Sequence, residues 1–185
     1  MGTIEVIVGC MFSGKSEELI RRLRRLAVAK KHIIVFKPTA DNRWNRRNEL
    51  VSRSGTAFAA YPILTPLEML DKSSEYEVVG IDEAHFFDQS FLGVIFDLRS
   101  AGKQVIVAGL DMDFRGEPFE HMATLLAIAD EVIKLDAICT QCGGRATLTQ
   151  RMTGGKPAPH NAERLVVGDD EYEARCRACH MVCIL

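Results

Sequence analysis

No run of apolar residues in this 185-residue chain approaches the ~18 that a membrane-spanning helix needs. The longest, 105–110 and 122–129, have the length of core segments. The opening residues, Met1-Gly2-Thr3-Ile4-Glu5, carry neither a basic stretch nor an extended apolar segment, so no export signal is expected. Neither sign of charge dominates: 23 Lys and Arg stand against 25 Asp and Glu, for a net charge of −2 and a pI near 6.2. A protein that lives on a nucleic-acid backbone usually has a large positive excess, which is missing here. Low net charge with 47 % hydrophobic residues also argues against disorder of the whole chain. There is no internal repeat. At this length one domain is expected, with room for a small appendage.

Cysteine is not lacking, and its placement is informative. Six are present, and in the absence of an export signal a reducing, cytoplasmic setting is expected in preference to disulfides. Four fall into two Cys-x-x-Cys pairs, Cys139/Cys142 and Cys176/Cys179. Each pair makes a tight turn that puts two thiolates on one side, and two pairs complete a tetrahedral Cys₄ site for structural Zn²⁺. Four protein ligands leave no position open for catalysis. Redox chemistry is the alternative reading, but it needs only one pair. His180 is a rival fourth ligand that breaks the spacing. Cys10 and Cys183 are left over and read as small buried residues.

The first 136 residues alternate short apolar runs with amphipathic segments. Strands are expected over 3–8, 32–37, 78–81, 104–108 and 131–135, and helices over 16–30, 65–70, 90–101 and 118–129. In the first helix Leu19, Leu23, Leu26 and Ala27 form the apolar stripe. The basic run at 21–25 (Arg-Arg-Leu-Arg-Arg) reads as a solvated helix face broken by a core leucine, in preference to a nucleic-acid patch. Residues 39–54 are polar and Arg/Asn-rich and are expected to be mostly loop. Continuous apolar strands alternating with helices indicate an α/β fold with a parallel sheet covered on both faces. After Asp136 the composition changes, and 153–163 has loop composition. The expected division is a phosphate-binding α/β domain, 1–136, and a zinc-knuckle domain, 137–185, with a long loop over about 150–170.

Gly9-Cys10-Met11-Phe12-Ser13-Gly14-Lys15-Ser16 matches G-x-x-x-x-G-K-[ST], with an apolar run before it and a helical pattern after it. The glycines allow successive backbone N–H groups to face a phosphate, and the helix start adds its positive dipole end. Lys15 can then reach the terminal phosphates of ATP, and the Ser16 hydroxyl can ligate Mg²⁺. The run 78–81 ends on Asp82-Glu83, two carboxylates at the edge of the sheet where ligands of open α/β folds sit. Asp82 suits the Mg²⁺ shell and Glu83 suits a general base. Arg43, Arg46 and Arg47 follow the second strand, where one of them can stabilise transition-state charge. The word Asp82-Glu83-Ala84-His85 also spells the DEAH signature of nucleic-acid-stimulated helicases. Those proteins need two such α/β domains and a basic groove. A zinc-bearing, nucleic-acid-stimulated P-loop ATPase is therefore the alternative, with a nucleotide-binding module without catalysis as a third reading.

The phosphate loop, Ile81-Asp82-Glu83-Ala84-His85-Phe86-Phe87, Gly109-Leu110-Asp111-Met112-Asp113-Phe114 and the two knuckles occur in this order. Together they resemble the cytosolic, zinc-containing (type II) thymidine kinases, over residues 4–179. The resemblance implies a RecA-like P-loop sheet with a small zinc-binding, lasso-bearing C-terminal domain. It implies transfer of the ATP γ-phosphate to the 5′-hydroxyl of thymidine, and of deoxyuridine, in pyrimidine salvage, with Glu83 as the base. Gly9, Met11, Phe12, Ser13, Gly14, Lys15, Ser16 and Asp82, with Asp41 and Arg43, would hold the phosphates and Mg²⁺. Met11, Phe86, Leu110, Phe114, Thr149 and Tyr172 would line the thymine pocket. Main-chain groups of Leu165, Val166, Val167 and Gly168, in the lasso, would bind the base. The resemblance further implies a homotetramer, inhibition by thymidine triphosphate, and no nucleic-acid or membrane partner. Two positions depart from the family pattern: His85 stands where Gln is usual, and Cys10 where Pro or Ser is.

Overall fold

The computed structural model describes residues 1–40, 48–51, 55–166 and 172–183. Strand β1 (Thr3–Gly9) leads through the glycine loop into helix α1 (Lys15–Val28), followed by β2 (Ile33–Pro38). Three short strands come next, β3 (Glu49–Val51), β4 (Ala57–Ala59) and β5 (Tyr61–Ile63), and then helix α2 (Glu68–Lys72). Strand β6 (Val78–Ile81) ends in a 3-10 turn, Ala84–Phe86, before α3 (Ser90–Ser100), β7 (Gln104–Gly109), α4 (Glu120–Ile128) and β8 (Glu131–Leu135). Beyond these lie β9 (Ala137–Ile138), β10 (Arg145–Ala146), β11 (Leu148–Thr153), β12 (Lys156–Pro157) and β13 (Tyr172–Arg175).

The main sheet has six strands in the order β5-β2-β6-β7-β1-β8, and every pairing in it is parallel. Parallel strands are connected by crossovers, which cover both faces. Side chains alternate accordingly. Ile4, Val6 and Val8 of β1 pack with Val105 and Val107 against Phe91, Ile95, Met122 and Leu125 of α3 and α4. Ile7 and Ile106 point the other way, to Leu19, Ile20 and Leu23 of α1. The stripe of α1 thus contains Ile20, while Ala27 is exposed. Of the basic run, Arg22 is drawn into a pocket of carboxylates, bonding Glu5, Glu18 and Glu131, and Arg21, Arg24 and Arg25 are exposed.

All five expected strands are present. The expected loop at 39–54 contains β3, which pairs with β4 in a hairpin, and β5 adds an edge to the main sheet. Helix α2 begins three residues later than expected. Glu68 accepts the backbone N–H groups of Leu64 and Thr65 at 2.8 and 3.1 Å, so 64–67 form a tight turn closed by i→i+3 bonds before the helix. The expected loop at 153–163 starts as a hairpin between β11 and β12. Its two turn residues, Gly154 and Gly155, have φ of 58° and 76°, the left-handed pair that a two-residue hairpin requires. From residue 137 on, among the described residues, the strands pair in small antiparallel sheets, β9 with β10 and β11 with β12 and β13.

Candidate active site

Strand order brings the chemistry to one edge. The ends of β1 and β6 flank the end of β7, so the glycine loop and Asp82-Glu83 stand two strands apart, roughly 9–10 Å. Leu110 and Asp111 emerge between them. At the start of the loop Gly9 has φ 149°, and a Cβ there would meet the Leu135 carbonyl oxygen at 2.4 Å. Gly14, φ 84°, makes the left-handed step that opens α1 and turns its first N–H groups into the loop.

Lys15 is buried, with Nζ donating to the Cys10 carbonyl at 2.8 Å. Burial lowers its pKa, and Glu83 first, then Cys10, Asp82 and Asp111, oppose that fall. The Ser16 hydroxyl donates to Asp82 Oδ2 at 2.8 Å, linking the β1 and β6 ends across β7. Ser13 Oγ donates to the Cys10 carbonyl at 2.8 Å. Glu83 has φ 51° and ψ 38°, a left-handed conformation rare for a residue with a long side chain. Strain of this kind costs about 1–3 kcal/mol and is kept where surrounding structure enforces it. Here the turn 84–86 enforces it: the Ala84 carbonyl accepts Phe87 N–H and lies 3.1 Å from His121 Nε2.

His85 is buried, its ring 4.5 Å from that of Phe86 and 5.3 Å from that of Phe119. Leu110 N–H donates to its Nδ1 at 3.2 Å, and Glu83 Oε2 lies 3.6 Å from the same nitrogen. A nitrogen that accepts an N–H carries no proton, so the contact with Glu83 is not an ion pair. Asp111, buried like Asp82, has Lys134 Nζ 2.6 Å from its Oδ2. Asp111 received no role from sequence reasoning; its signal was position, since it follows an apolar strand as Asp82 does.

Leu110 and Phe114 are buried, Met11 and Phe86 half-buried. Met11 and Leu165 pack against the same core cluster as Leu110. Met11 N–H donates to Thr149 Oγ1 at 3.0 Å, so the β11 strand touches the glycine loop directly. Tyr172 OH donates to the Val166 carbonyl at 2.9 Å. Phe12 is exposed. Asp41, Arg43, Arg46 and Arg47, with Val167 and Gly168, lie outside the described residues.

The sulfur atoms of Cys139, Cys142, Cys176 and Cys179 lie within 4.8 Å of one another, and Cys142 Sγ is 3.7 Å from Cys176 Sγ. A tetrahedral zinc with ~2.3 Å bonds spaces its sulfurs by about 3.8 Å, so the set fits that ion. Backbone N–H groups, led by that of Cys176, pull the Cys139 thiol down to about 6, while neighbouring sulfurs, led by Cys176, push the Cys179 thiol up to about 12, so all four would ionise together only around a cation. His180 is not part of the cluster: its Nε2 is 2.8 Å from the Phe114 carbonyl. Cys10 is buried, with its Sγ donating to the Ala146 carbonyl at 3.4 Å, whereas Cys183 is exposed, contrary to expectation. Position 183 falls in the tail beyond β13, where its carbonyl accepts His160 N–H and its side chain meets no core.

A glycine loop feeding a helix, a linked serine and aspartate, and a glutamate one residue on define a P-loop nucleotide-binding α/β protein with a four-cysteine unit beside its phosphate loop. Its affiliation is narrower than that. The family model for thymidine kinase matches residues 2–180. A thymidine kinase of Coprothermobacter proteolyticus is 54 % identical over 182 residues, which cover 98 % of this chain and 91 % of the relative. The chain belongs to the thymidine kinase family, whose reaction is ATP-dependent phosphorylation of thymidine. The nucleic-acid-stimulated ATPase is not favoured. Among solved structures, the genome packaging NTPase B204 from Sulfolobus turreted icosahedral virus 2, in complex with ATP-gammaS, is 18 % identical with a TM-score of 0.44, over 72 % of this chain and 74 % of the other. Among the described residues no helix is long and apolar enough to cross a membrane.

Proposed function

We propose that this chain transfers the γ-phosphoryl group of ATP to the 5′-hydroxyl of thymidine, and of deoxyuridine, with Glu83 taking the hydroxyl proton. The observation that carries this reading is the placement of the Glu83 carboxylate. It is one residue from the Ser16–Asp82 link and is the leading charge acting on the buried Lys15. Lys15 and the N–H groups of residues 9–16, with Ser13, would cradle the phosphates, and Ser16 with Asp82 would hold the magnesium that accompanies ATP. Asp41 and Arg43 are proposed beside the phosphates on the resemblance alone. Met11, Phe86, Leu110, Phe114, Thr149 and Tyr172 would surround the base, and the backbone of 165–168 would read its edge. Fixed main-chain donors and acceptors suit a pyrimidine edge and exclude water from the transferring phosphoryl group.

Zinc, held by Cys139, Cys142, Cys176 and Cys179, would supply a structural cross-link. The division at residue 136/137 is supported by the separate pairing of every later strand. A cytoplasmic setting, a homotetramer and inhibition by thymidine triphosphate are proposed from the family resemblance.

The test is ADP release from Mg·ATP with thymidine, deoxyuridine, deoxycytidine, deoxyguanosine or single-stranded DNA supplied in parallel. Turnover is expected with thymidine and deoxyuridine. Glu83→Gln should lose about 10²–10⁴-fold in kcat while still binding ATP. Stimulation by DNA and by no nucleoside would overturn the proposal.

A further inference from the structure

The turn after β7 carries a carboxylate that the phosphate chemistry does not use. Asp113 has no exposed side-chain surface, and an ionised carboxylate offers about four acceptor positions. All four are filled. Oδ1 accepts the backbone N–H groups of Arg115 at 2.9 Å and Glu117 at 3.1 Å. Oδ2 accepts Arg115 Nη1 at 3.1 Å and Arg164 Nε at 2.9 Å. The first pair shapes the turn locally. The second joins two segments about fifty residues apart in sequence.

Arg115 turns its remaining donors to the carbonyls of His160, at 2.6 Å, and Ala162, at 2.7 Å. Arg151 takes the Glu163 carbonyl at 2.6 Å. Arg164, itself part of this strap, reaches back to the Pro118 carbonyl at 2.7 Å and lies over the Phe119 ring, 4.5 Å from its centroid. Arg115 and Arg151 both lie against the Phe114 ring, 4.8 and 5.7 Å from its centroid. Three carbonyls of a strap without regular structure are thus held by arginines, and the buried Asp113 charge orients Arg115, which holds two of them. Residues 160–164 lead directly into Leu165 and Val166, and Leu110 and Phe114 belong to the turn that Asp113 shapes.

We propose that Asp113 is a positioning residue for the nucleoside-acceptor pocket: through Arg115 and Arg164 it fixes the strap 160–166 against the turn 110–118, setting the backbone that reads the base. This rests on the thymidine kinase reading above. Because the clamp touches neither the phosphate loop nor Glu83, its loss acts on acceptor binding and leaves donor binding alone. A purely local turn role is separable, because Asp113→Asn retains a carbonyl for the two backbone N–H groups and puts an uncharged NH₂ donor where Arg115 and Arg164 need an acceptor.

The experiment measures steady-state kinetics of the full chain for Asp113→Asn, Arg164→Gln and the double variant, with amide hydrogen exchange across 160–166. The expected result is a rise of about tenfold in thymidine KM, with ATP KM within about twofold and kcat within about threefold. The double variant should be less than additive, since both singles break the contact between Asp113 and Arg164. Faster exchange at 160–166 should accompany the change. A folded Asp113→Asn with unchanged thymidine KM, equal losses in both KM values, or additive effects would overturn the proposal. Should Asp113→Asn not fold, Arg164→Gln, on a partly exposed side chain, decides by the same KM criterion. Wild-type protein inactive on every nucleoside would defeat the kinase reading instead, and hydrogen exchange alone would then judge the clamp.

Discussion

His85 shows how a single substitution can preserve a contact. Its Nδ1 takes the Leu110 N–H, which is otherwise buried at the end of β7 beside Glu83. Glutamine, usual here in the resembling family, also presents an acceptor at this distance from the backbone. His85→Gln is therefore expected to keep kcat within about threefold and leave the melting temperature little changed. His85→Leu removes the acceptor and strands a buried donor, at a cost of about 1–3 kcal/mol. Thermal melts and turnover of the two variants check this, and equal loss in both would mean that ring packing on Phe86 and Phe119 matters more than the acceptor. Placements that a local motif predicts are legible in the sequence itself: Ser16 meets Asp82 and the four cysteines converge. Asp111, Asp113 and the arginines of the strap are not. Their partners lie some 20 to 50 residues away, and only folding turns that distance in sequence into proximity in space.

The elements were legible where they are long or fully buried. Strands β2, β6 and β7 are nearly continuous apolar runs, β1 and β8 are β-branched runs interrupted by Glu5 and Lys134, and α1 and α3 carry clear stripes. Strands of three residues, such as β3, β4 and β5, are too short for a period to register. The Gly154-Gly155 hairpin had a usable signal, two glycines between extended residues, hidden by the loop-like composition around it. The turn 84–86 depends on an element far from it. His121 of α4 is buried with its Nε2 3.1 Å from the Ala84 carbonyl, and burial pushes its pKa below the ordinary 6.5. Asp88 and Glu120 pull the other way and Arg164 adds to the fall, yet burial dominates. In the unfolded chain His121 gains its proton near pH 6.5, earlier than in the folded one. Its contribution to stability is therefore complete above that pH and declines as pH falls below it. The melting temperature should drop between pH 7 and pH 5, and His121→Gln, which keeps a donor without the titration, should flatten that slope. Identical slopes in the two proteins would assign the effect to another group.

At the scale of the molecule, the two ends of the four-cysteine cluster bracket a segment that reaches back to the phosphate loop at two points. Cys10 Sγ donates to the Ala146 carbonyl, and Met11 N–H donates to Thr149 Oγ1. Cys10 also packs in one cluster with Ala137, Cys139, Ala146 and Ala174. The spacing of the cysteines announced their convergence, but its position against the phosphate loop was invisible, because Cys10 looked like a leftover small residue. That position has a thermodynamic consequence. Four sulfurs within 4.8 Å of one another would be held in that arrangement by the ion they bind, so loss of metal would loosen β9–β11 and with them the backing of residues 10 and 11. With zinc in the cluster as proposed, its removal by a chelator should lower the melting temperature by about 10 °C or more, since several kcal/mol of binding free energy is lost from the folded state. It should also weaken binding of a non-hydrolysable ATP analogue in the absence of any nucleoside, measured by calorimetry before and after zinc is restored. A lower melting temperature with unchanged nucleotide affinity would mean that Gly9, Gly14 and the start of α1 hold the phosphate loop in shape by themselves. The knuckles would then act only on the strap and the acceptor side.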